Sequence, residues 1–367
     1  MKRILILTEA EDVHAIAVAE ALALKGAHAT LWATSDFPTR AEETVHFTES
    51  GLSLKIQGPE IRLEDPSFDV VWRRRPAYVL DPALLHPADR AFAESECGLF
   101  RRSIIHLLAP QAFWVNPPAH AARASSKMLQ HAVAREVGLR MPETLYTNSP
   151  GEVRAFLSRT GSVIYKPLLP TAWSAENRRF VPYTSRITDP SLIDETLRLT
   201  PGIFQEQIPK RHEIRLTVMG RRCFAAKIEP KAGATARLDW RQAPDELQFE
   251  PAILPREIEM KCFDLLEALG LVFGCFDFIV TPDGSYVFLE VNEMGQFLFV
   301  ERCCDLPLLD AFTSFLMQGK SDFEWQEESG APRYNDPLFS RRVAERIEAF
   351  AKDHVAIPER LVDEAQS

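Results

Sequence analysis

Between residues 274 and 292 polar and apolar side chains alternate around Asp283-Gly284, a pattern that constrains the chain to a β-hairpin. With those two residues as the turn, Pro282 faces Ser285, Val280 faces Val287, Phe278 faces Leu289, and Asp277 lands opposite Glu290. One face is then wholly apolar (Phe276, Phe278, Val280, Val287, Leu289, Val291), and the other carries Asp277, Glu290 and Asn292. Two carboxylates directly across a sheet repel, so the arrangement asks for a cation. Oxygen-only ligands in a small set suit Mg²⁺ completed by phosphate oxygens. A solvated outer face whose acids never meet fits the same pattern, and hairpin geometry alone does not separate the two.

At 367 residues the chain has room for two or three domains. Its 46% hydrophobic and 26% charged residues describe a globular protein, not a disordered or fibrous one. A net charge of −10 argues against general nucleic-acid binding. No stretch is long and apolar enough for a membrane span. The cysteines show no CxxC or metal-finger spacing, and no signal peptide is evident, so a cytoplasmic location with reduced thiols is expected.

Residues 3–8 read as a buried strand, followed by an alanine-rich helix over 12–25, a stop at Gly26 and a strand over 28–34. This β-α-β start indicates a doubly wound sheet. The turn after the first strand lacks glycine, which excludes the dinucleotide fingerprint, and no P-loop occurs. A strand at 69–73 runs into Arg73-Arg74-Arg75-Pro76, and 87–109 reads as a long helix. A first boundary falls at Asn116-Pro117-Pro118. One helix is expected over 119–137 carrying Lys127, then a strand at 143–147, a helix at 150–159 and a strand ending in Lys166. Residues 168–186 read as irregular. Strands follow from Ile203, with a helix at 256–269. A last amphipathic helix over 338–353 carries Phe339, Val343, Ile347 and Phe350 on one side. It is expected to pack on its own domain, with a subunit interface, and hence a homodimer, as the alternative.

Four features accompany the hairpin in order: Lys127 in a helix, Lys166 at a strand end, Phe204-Gln-Glu-Gln-Ile208 between two layers, and Glu213-x-Arg215 on one strand face. Singly, each has a bland reading: a solvated lysine, or a same-face salt bridge worth little. In this order they resemble the ATP-grasp superfamily over residues 116–320. The phrases Val71-Trp-Arg-Arg-Arg-Pro76, Pro142-Glu-Thr-Leu-Tyr-Thr-Asn148, Glu213-Ile-Arg-Leu-Thr-Val218, Leu238-Asp-Trp-Arg241 and Phe288-Leu-Glu-Val-Asn-Glu-Met-Gly-Gln296 resemble the ligases that mature microviridin-type (graspetide) peptides.

The resemblance implies an α/β (α+β) ATP-grasp fold. Its units would be an N-terminal pre-ATP-grasp α/β domain (1–115), a central subdomain (116–200), a C-terminal subdomain with the Mg/ATP site (201–325) and a helical extension (326–367). It also implies ATP and Mg²⁺ as cofactors. Lys127 and Lys166 would bind phosphates, and the segment Gln205, Glu206, Gln207, Ile208 would meet the adenine edge. Glu213 would hold the ribose, and Arg215 would lie by the γ-phosphate and acyl centre. Arg241 would join the phosphate or carboxylate end, with Arg237 and Lys227 as competitors for that role. Asp277, Glu290 and Asn292 would hold Mg²⁺. One departure is plain: the interval 168–186 has no glycine to cover the triphosphate, and Arg178, Arg179 and Arg186 stand there instead, to supply charge, to receive acidic peptide side chains, or simply to be solvated.

The implied reaction is ATP-dependent ligation. A side-chain carboxylate of Asp or Glu attacks the γ-phosphate, and a Ser or Thr hydroxyl or Lys amine displaces phosphate from the acyl phosphate, giving a macrocyclic ester or amide. The implied partner is a precursor peptide with a leader and an acidic core, with no nucleic acid and no membrane. The rivals are amino-acid addition to a peptide or protein, dipeptide synthesis, and a nucleotide-gated binding module without chemistry.

Overall fold

The computed structural model describes residues 2–169, 173–175, 178–180, 184–231, 238 and 244–357, with backbone alone for 173–175, 178–180 and 244. The first unit comprises β1 (Ile4–Thr8), α1 (Val13–Leu24), β2 (Ala29–Ala33), β3 (Glu42–Thr48), β4 (Gly51–Gln57), β5 (Arg62–Glu64), β6 (Val70–Arg73), α2 (Arg90–Leu107) and β7 (Phe113–Val115). Strands β2-β1-β6-β7 form a parallel sheet in that order. Both faces of β1 are buried, which is why its sequence is a continuous apolar run without alternation. On one side Leu5, Leu7 and Val71 pack under Leu54 and Ile56 of the β3-β4-β5 sheet and Ile104 of α2. Helix α1 covers the other side, capped by the Asp12 carboxylate, which accepts from the Ala15 N–H at 2.8 Å.

The second unit comprises α3 (Pro118–Ala124), α4 (Lys127–Glu136), β8 (Thr144–Thr147), α5 (Pro150–Thr160), β9 (Val163–Lys166), β10 (Trp173–Ala175), β11 (Arg178–Phe180), β12 (Ser185–Ile187) and β13 (Gly202–Glu206). The single helix expected over 119–137 is two helices. Ser126 caps the second by accepting from the Leu129 N–H at 3.4 Å, so Lys127 is its first residue. The interval read as irregular contains the β10-β11 hairpin. The sheet order is β12-β9-β13-β8, all antiparallel. Strand β13, expected to fall in the next unit, therefore belongs to this sheet.

The third unit comprises β14 (His212–Met219), β15 (Arg222–Pro230), β16 (Leu247–Ala252), α6 (Arg256–Leu269), β17 (Phe273–Val280) and β18 (Tyr286–Asn292). Its antiparallel order is β16-β15-β14-β17-β18. Ile214, Leu216 and Val218 pack on Cys262, Leu265 and Leu266 of α6, which leaves Glu213, Arg215 and Thr217 on the opposite face. The chain then returns to the first unit through α7 (Leu298–Cys304), α8 (Leu308–Gln318) and α9 (Pro337–Ala351).

Helix α9, expected to pack on its own domain, packs instead with α8 against α1: Phe312, Phe315, Phe339, Val343 and Phe350 share a core with Ala15, Val18 and Leu22. The reason is that α1 buries residues on nearly every side, and a helix apolar all round must be covered outside as well as in. Among the described residues no helix is long and apolar enough to cross a membrane.

Asn116 locks the first unit to the third. Its Nδ2 donates to the carbonyls of Phe273 (2.9 Å) and Glu293 (2.8 Å), and its Oδ1 accepts from the N–H groups of Val272 (2.8 Å) and Phe273 (3.0 Å). Replacing it by alanine leaves buried backbone groups unpaired. Asn116→Ala should lower the unfolding free energy by about 3 kcal/mol in urea titrations.

Candidate active site

The hairpin forms, with a different turn. Pro282 has no N–H to donate in the ladder, so the pairing closes one residue earlier: Thr281 N–H donates to the Ser285 carbonyl at 3.0 Å. The loop is the three residues Pro282-Asp283-Gly284, ending on Gly284 at φ 84°, where a side chain would be strained. Val280 therefore meets Tyr286, and Phe278 meets Phe288, each one residue off the expected register. A β-bulge at Leu289 then restores the count, and Asp277 does stand opposite Glu290. The bulge changes the faces too, since Phe288, and not Leu289, joins the buried core.

Strand β14 pairs Arg215 with Asp277 on the other side, so Arg215, Asp277 and Glu290 form one row across three adjacent strands. The Arg215 Nη1 donates to both Asp277 oxygens, at 2.9 and 3.0 Å, and its Nη2 donates to the Gln296 carbonyl at 3.0 Å. Burial works against the Arg215 charge, but the Asp277 carboxylate outweighs it, with Cys275 and Glu290 adding, and holds the guanidinium firmly protonated. At the far end Lys127 Nζ pairs with Glu290 Oε2. The row thus reads plus, minus, minus, plus. Asn292 adds a bond from Nδ2 to Asp277 Oδ2 at 3.3 Å.

Two carboxylates and an amide are a hard-oxygen donor set that fits Mg²⁺. Among the described residues no three His, Cys, Asp or Glu gather to hold a metal. Octahedral Mg²⁺ on this set would take its further oxygens from water or from a ligand such as phosphate.

The remaining expected residues that the structure describes fall in the second sheet, in its link to β14, and on β14 and β15. Lys166 ends β9, opposite Ile203 of β13. Glu206 is exposed at the end of β13, while Gln205 is buried, donating to Thr144 Oγ1 at 3.1 Å. Gln207 accepts from Ser162 at 2.8 Å, and Ile208 is half-buried in the link to β14. Glu213 sits on the Arg215 face and pairs with Lys210 at 2.5 Å. Arg241 lies outside the described residues, as does Arg237, and the side chains of Arg178 and Arg179 are likewise not described. Arg186 is exposed in β12. Lys227 is taken up by Glu229 (3.0 Å) and Glu250 (2.8 Å) near the far edge of the five-stranded sheet, away from the row.

Sequence reasoning missed the residues that aim this row. Gln130, 3% exposed, bonds both backbone groups of Val291, from Nε2 to the carbonyl at 2.8 Å and from the Val291 N–H to Oε1 at 3.0 Å. His131 Nε2 donates to the carbonyl of the bulged Leu289 at 3.2 Å, so its Nδ1 accepts the Tyr146 hydroxyl at 3.1 Å. Burial foremost, with the Glu290 charge, pushes Tyr146 up to about 12, which keeps it a donor. Helix α4 thus touches β18 three times, through Lys127, Gln130 and His131. The one available signal was their i, i+3, i+4 spacing on a helix.

The loop after Asn292 is held equally closely. Asn116 takes the Glu293 carbonyl, Arg74 the Met294 carbonyl and Arg215 the Gln296 carbonyl, while His14 Nε2 accepts the N–H groups of Phe297 (3.0 Å) and Leu298 (3.2 Å).

Comparison with known proteins gives this arrangement a family. The family described as the MvdD pre-ATP grasp domain matches residues 3–122. The macrocyclase MdnC from Microcystis aeruginosa MRC, solved with its precursor peptide MdnA, superposes with a TM-score of 0.76 at 30% identity, over 86% of this chain and 99% of that one. The macrocyclase MdnB from the same organism gives 0.71 at 31% identity, over 86% and 99%. A Chryseobacterium gregarium RiPP-associated ATP-grasp ligase, solved with ADP and a leader and core peptide, gives 0.72 at 26% identity, over 88% and 95%. A search of curated proteins returned no match. The fold is that of an ATP-grasp ligase. Within that class, the chain belongs to the graspetide-type ligases.

Both histidines that brace the site are held neutral by burial above all. For His14 the neighbouring Arg74 reinforces this, moving it well below the ordinary 6.5, and for His131 Lys166 and Lys127 do the same. The unfolded chain takes up these protons near pH 6.5 and the folded chain resists, so stability is full above that pH and is lost as pH falls through it. The unfolding free energy should be lower at about pH 5.5 than at about pH 7.5, and His14→Gln should shrink the difference in urea titrations.

Proposed function

We propose that this chain uses ATP and Mg²⁺ to activate Asp or Glu side chains of a ribosomally made precursor peptide as acyl phosphates. It then joins them to Ser or Thr hydroxyls or Lys amines of the same peptide, closing macrocyclic esters or amides. The observation that carries the reading is the row Lys127, Glu290, Asp277, Arg215 with Asn292 beside it, set on the face that the seam with the second sheet adjoins.

In this reading Asp277, Glu290 and Asn292 would hold Mg²⁺, which would supply positive charge to offset that of the phosphates. Lys127 and Lys166 flank the phosphates as compact cations. Lys127 exchanges its Glu290 partner for phosphate when nucleotide arrives. Glu206 and Ile208 meet the adenine edge, and Glu213 leaves Lys210 for the ribose hydroxyls. Arg215 is fixed along Asp277 and needs no reorganisation to face charge that develops on the transferred group and the acyl oxygen. Arg241, in the Asp-Trp-Arg phrase, is assigned to the phosphate or carboxylate end by resemblance alone. The chemistry balances without a protein nucleophile. The peptide carboxylate displaces ADP from the γ-phosphorus, and the hydroxyl or amine then displaces phosphate from the acyl carbon and gives up its proton. Each ring costs one ATP and removes one water from the peptide.

Asp277→Asn keeps an acceptor for Arg215 but loses the charge that a cation needs. ADP formation with Mg²⁺ and a precursor should fall about a hundredfold or more, measured below the lowered melting temperature that weakening the buried Arg215 pair brings. Mass spectra of the peptide should show successive losses of water with the unaltered chain. Mass gain with free amino acids, or ADP formation that survives in Asp277→Asn, would sink the reading.

A further inference from the structure

The parallel sheet of the first unit has a topological switch point whose residues lie outside the row on the five-stranded sheet. From β1 the chain moves to β2 on one side, and the sheet continues to β6 on the other. Connections diverge at the carboxyl ends of β1 and β6, and open α/β sheets bind their ligands at such a switch point. Glu9 and Asp12 follow β1 there, and Arg73, Arg74 and Arg75 end β6.

The three arginines differ in how fully their donors are used. Arg74 is 1% exposed, bonded to Asp12 at 3.3 Å and to the Met294 carbonyl, and is structural. Arg73 is half-buried, and its guanidinium makes one hydrogen bond among the described residues, to the thioether Sδ of Met294 at 3.3 Å. A thioether is a weak acceptor for a group with five N–H donors. Glu293 acts on Arg73 through space, without an ion pair within 4.0 Å. Arg75 lies 3.7 Å from Glu9 Oε1 and 3.7 Å from Asp12 Oδ2, near enough for charge but beyond hydrogen-bonding reach. Two guanidinium groups are thus part-buried with donors to spare, and a half-desolvated cation gains most from a charged acceptor.

We infer that the β1–β6 crevice is the subsite for a side-chain carboxylate of the peptide substrate, with Arg73 and Arg75 as its ligands. This rests on the ligase reading above and names the groups that select the acid. Arginine forks match the planar carboxylate, which lysine would not do. With Glu9, Asp12 and Glu293 close by, the crevice carries little excess positive charge, which suits a monoanion over a phosphate. Its position suits the reaction: Met294 is two residues from Asn292, in the loop whose Gln296 carbonyl Arg215 holds. The same loop thus joins Arg73 to Arg215, the residue assigned to the γ-phosphate.

The test is a calorimetric titration of the full chain, loaded with ADP and Mg²⁺, with N-acetyl-glutamate amide, N-acetyl-glutamine amide and inorganic phosphate. The glutamate derivative should bind roughly tenfold or more tightly than the glutamine one. Arg73→Met and Arg75→Met should each weaken it about tenfold while leaving ADP affinity unchanged, with Arg73→Lys intermediate. Equal affinity in all variants, no preference for the acid, displacement by phosphate, or no binding to the unaltered chain would each overturn the assignment. Failure of the ligase reading shows separately, as no ADP formed from ATP with an acidic peptide. Melting curves distinguish an unfolded variant from one that lost the subsite.

Discussion

Everything at the seam of this molecule depends on two carboxylates placed side by side on a sheet. Asp277 and Glu290 cannot share a row in low-dielectric surroundings without positive charge on both flanks, and the fold supplies Arg215 on one side and Lys127 on the other. The two cations are not equivalent. Arg215 is buried and bonded through two nitrogens, so losing its partner would strand a charge at a cost of about 3–5 kcal/mol. Lys127 is a quarter exposed and sits at the first turn of α4, where the helix dipole disfavours a cation. It is the less firmly held of the two.

That placement explains two features that look incidental. The break between α3 and α4 puts Lys127 at a helix start, and Gln130 and His131 then fall on β18 one turn later. The bulge at Leu289 leaves a carbonyl outside the ladder, and His131 takes it up. Without the bulge the three-residue turn would have sent Glu290 to the wrong face, since a shift of one residue inverts every side chain of a strand. The carboxylate pair exists because two one-residue irregularities cancel.

The loop from Glu293 to Phe297 carries the same logic between units. Side chains from the first unit hold both ends, at Glu293, Met294 and Phe297, and the site arginine holds Gln296 between them. The chain then returns to cover α1 with α8 and α9, so the N-terminal and C-terminal segments share one core. The first unit is therefore not an appendage. Its switch-point arginines and the row on the five-stranded sheet border a common loop.

Much of this was legible in order along the chain. Buried strands read as apolar runs, and α1 as an alanine-rich helix stopped at Gly26, because those signals are local: hydrophobic period and chain breakers. The sequence by itself determined which groups could form the site, and that Asp277 and Glu290 would lie on one hairpin. Tertiary structure alone decided the three-residue turn, the compensating bulge, the capture of β18 by Gln130 and His131, and the cover of α1 by α9. Each depends on a partner more than a hundred residues away, or on a missing proline N–H whose consequence appears only when the ladder is built. Hydrogen bonds that satisfy displaced backbone are set by whatever packs nearby, and no local pattern announces it.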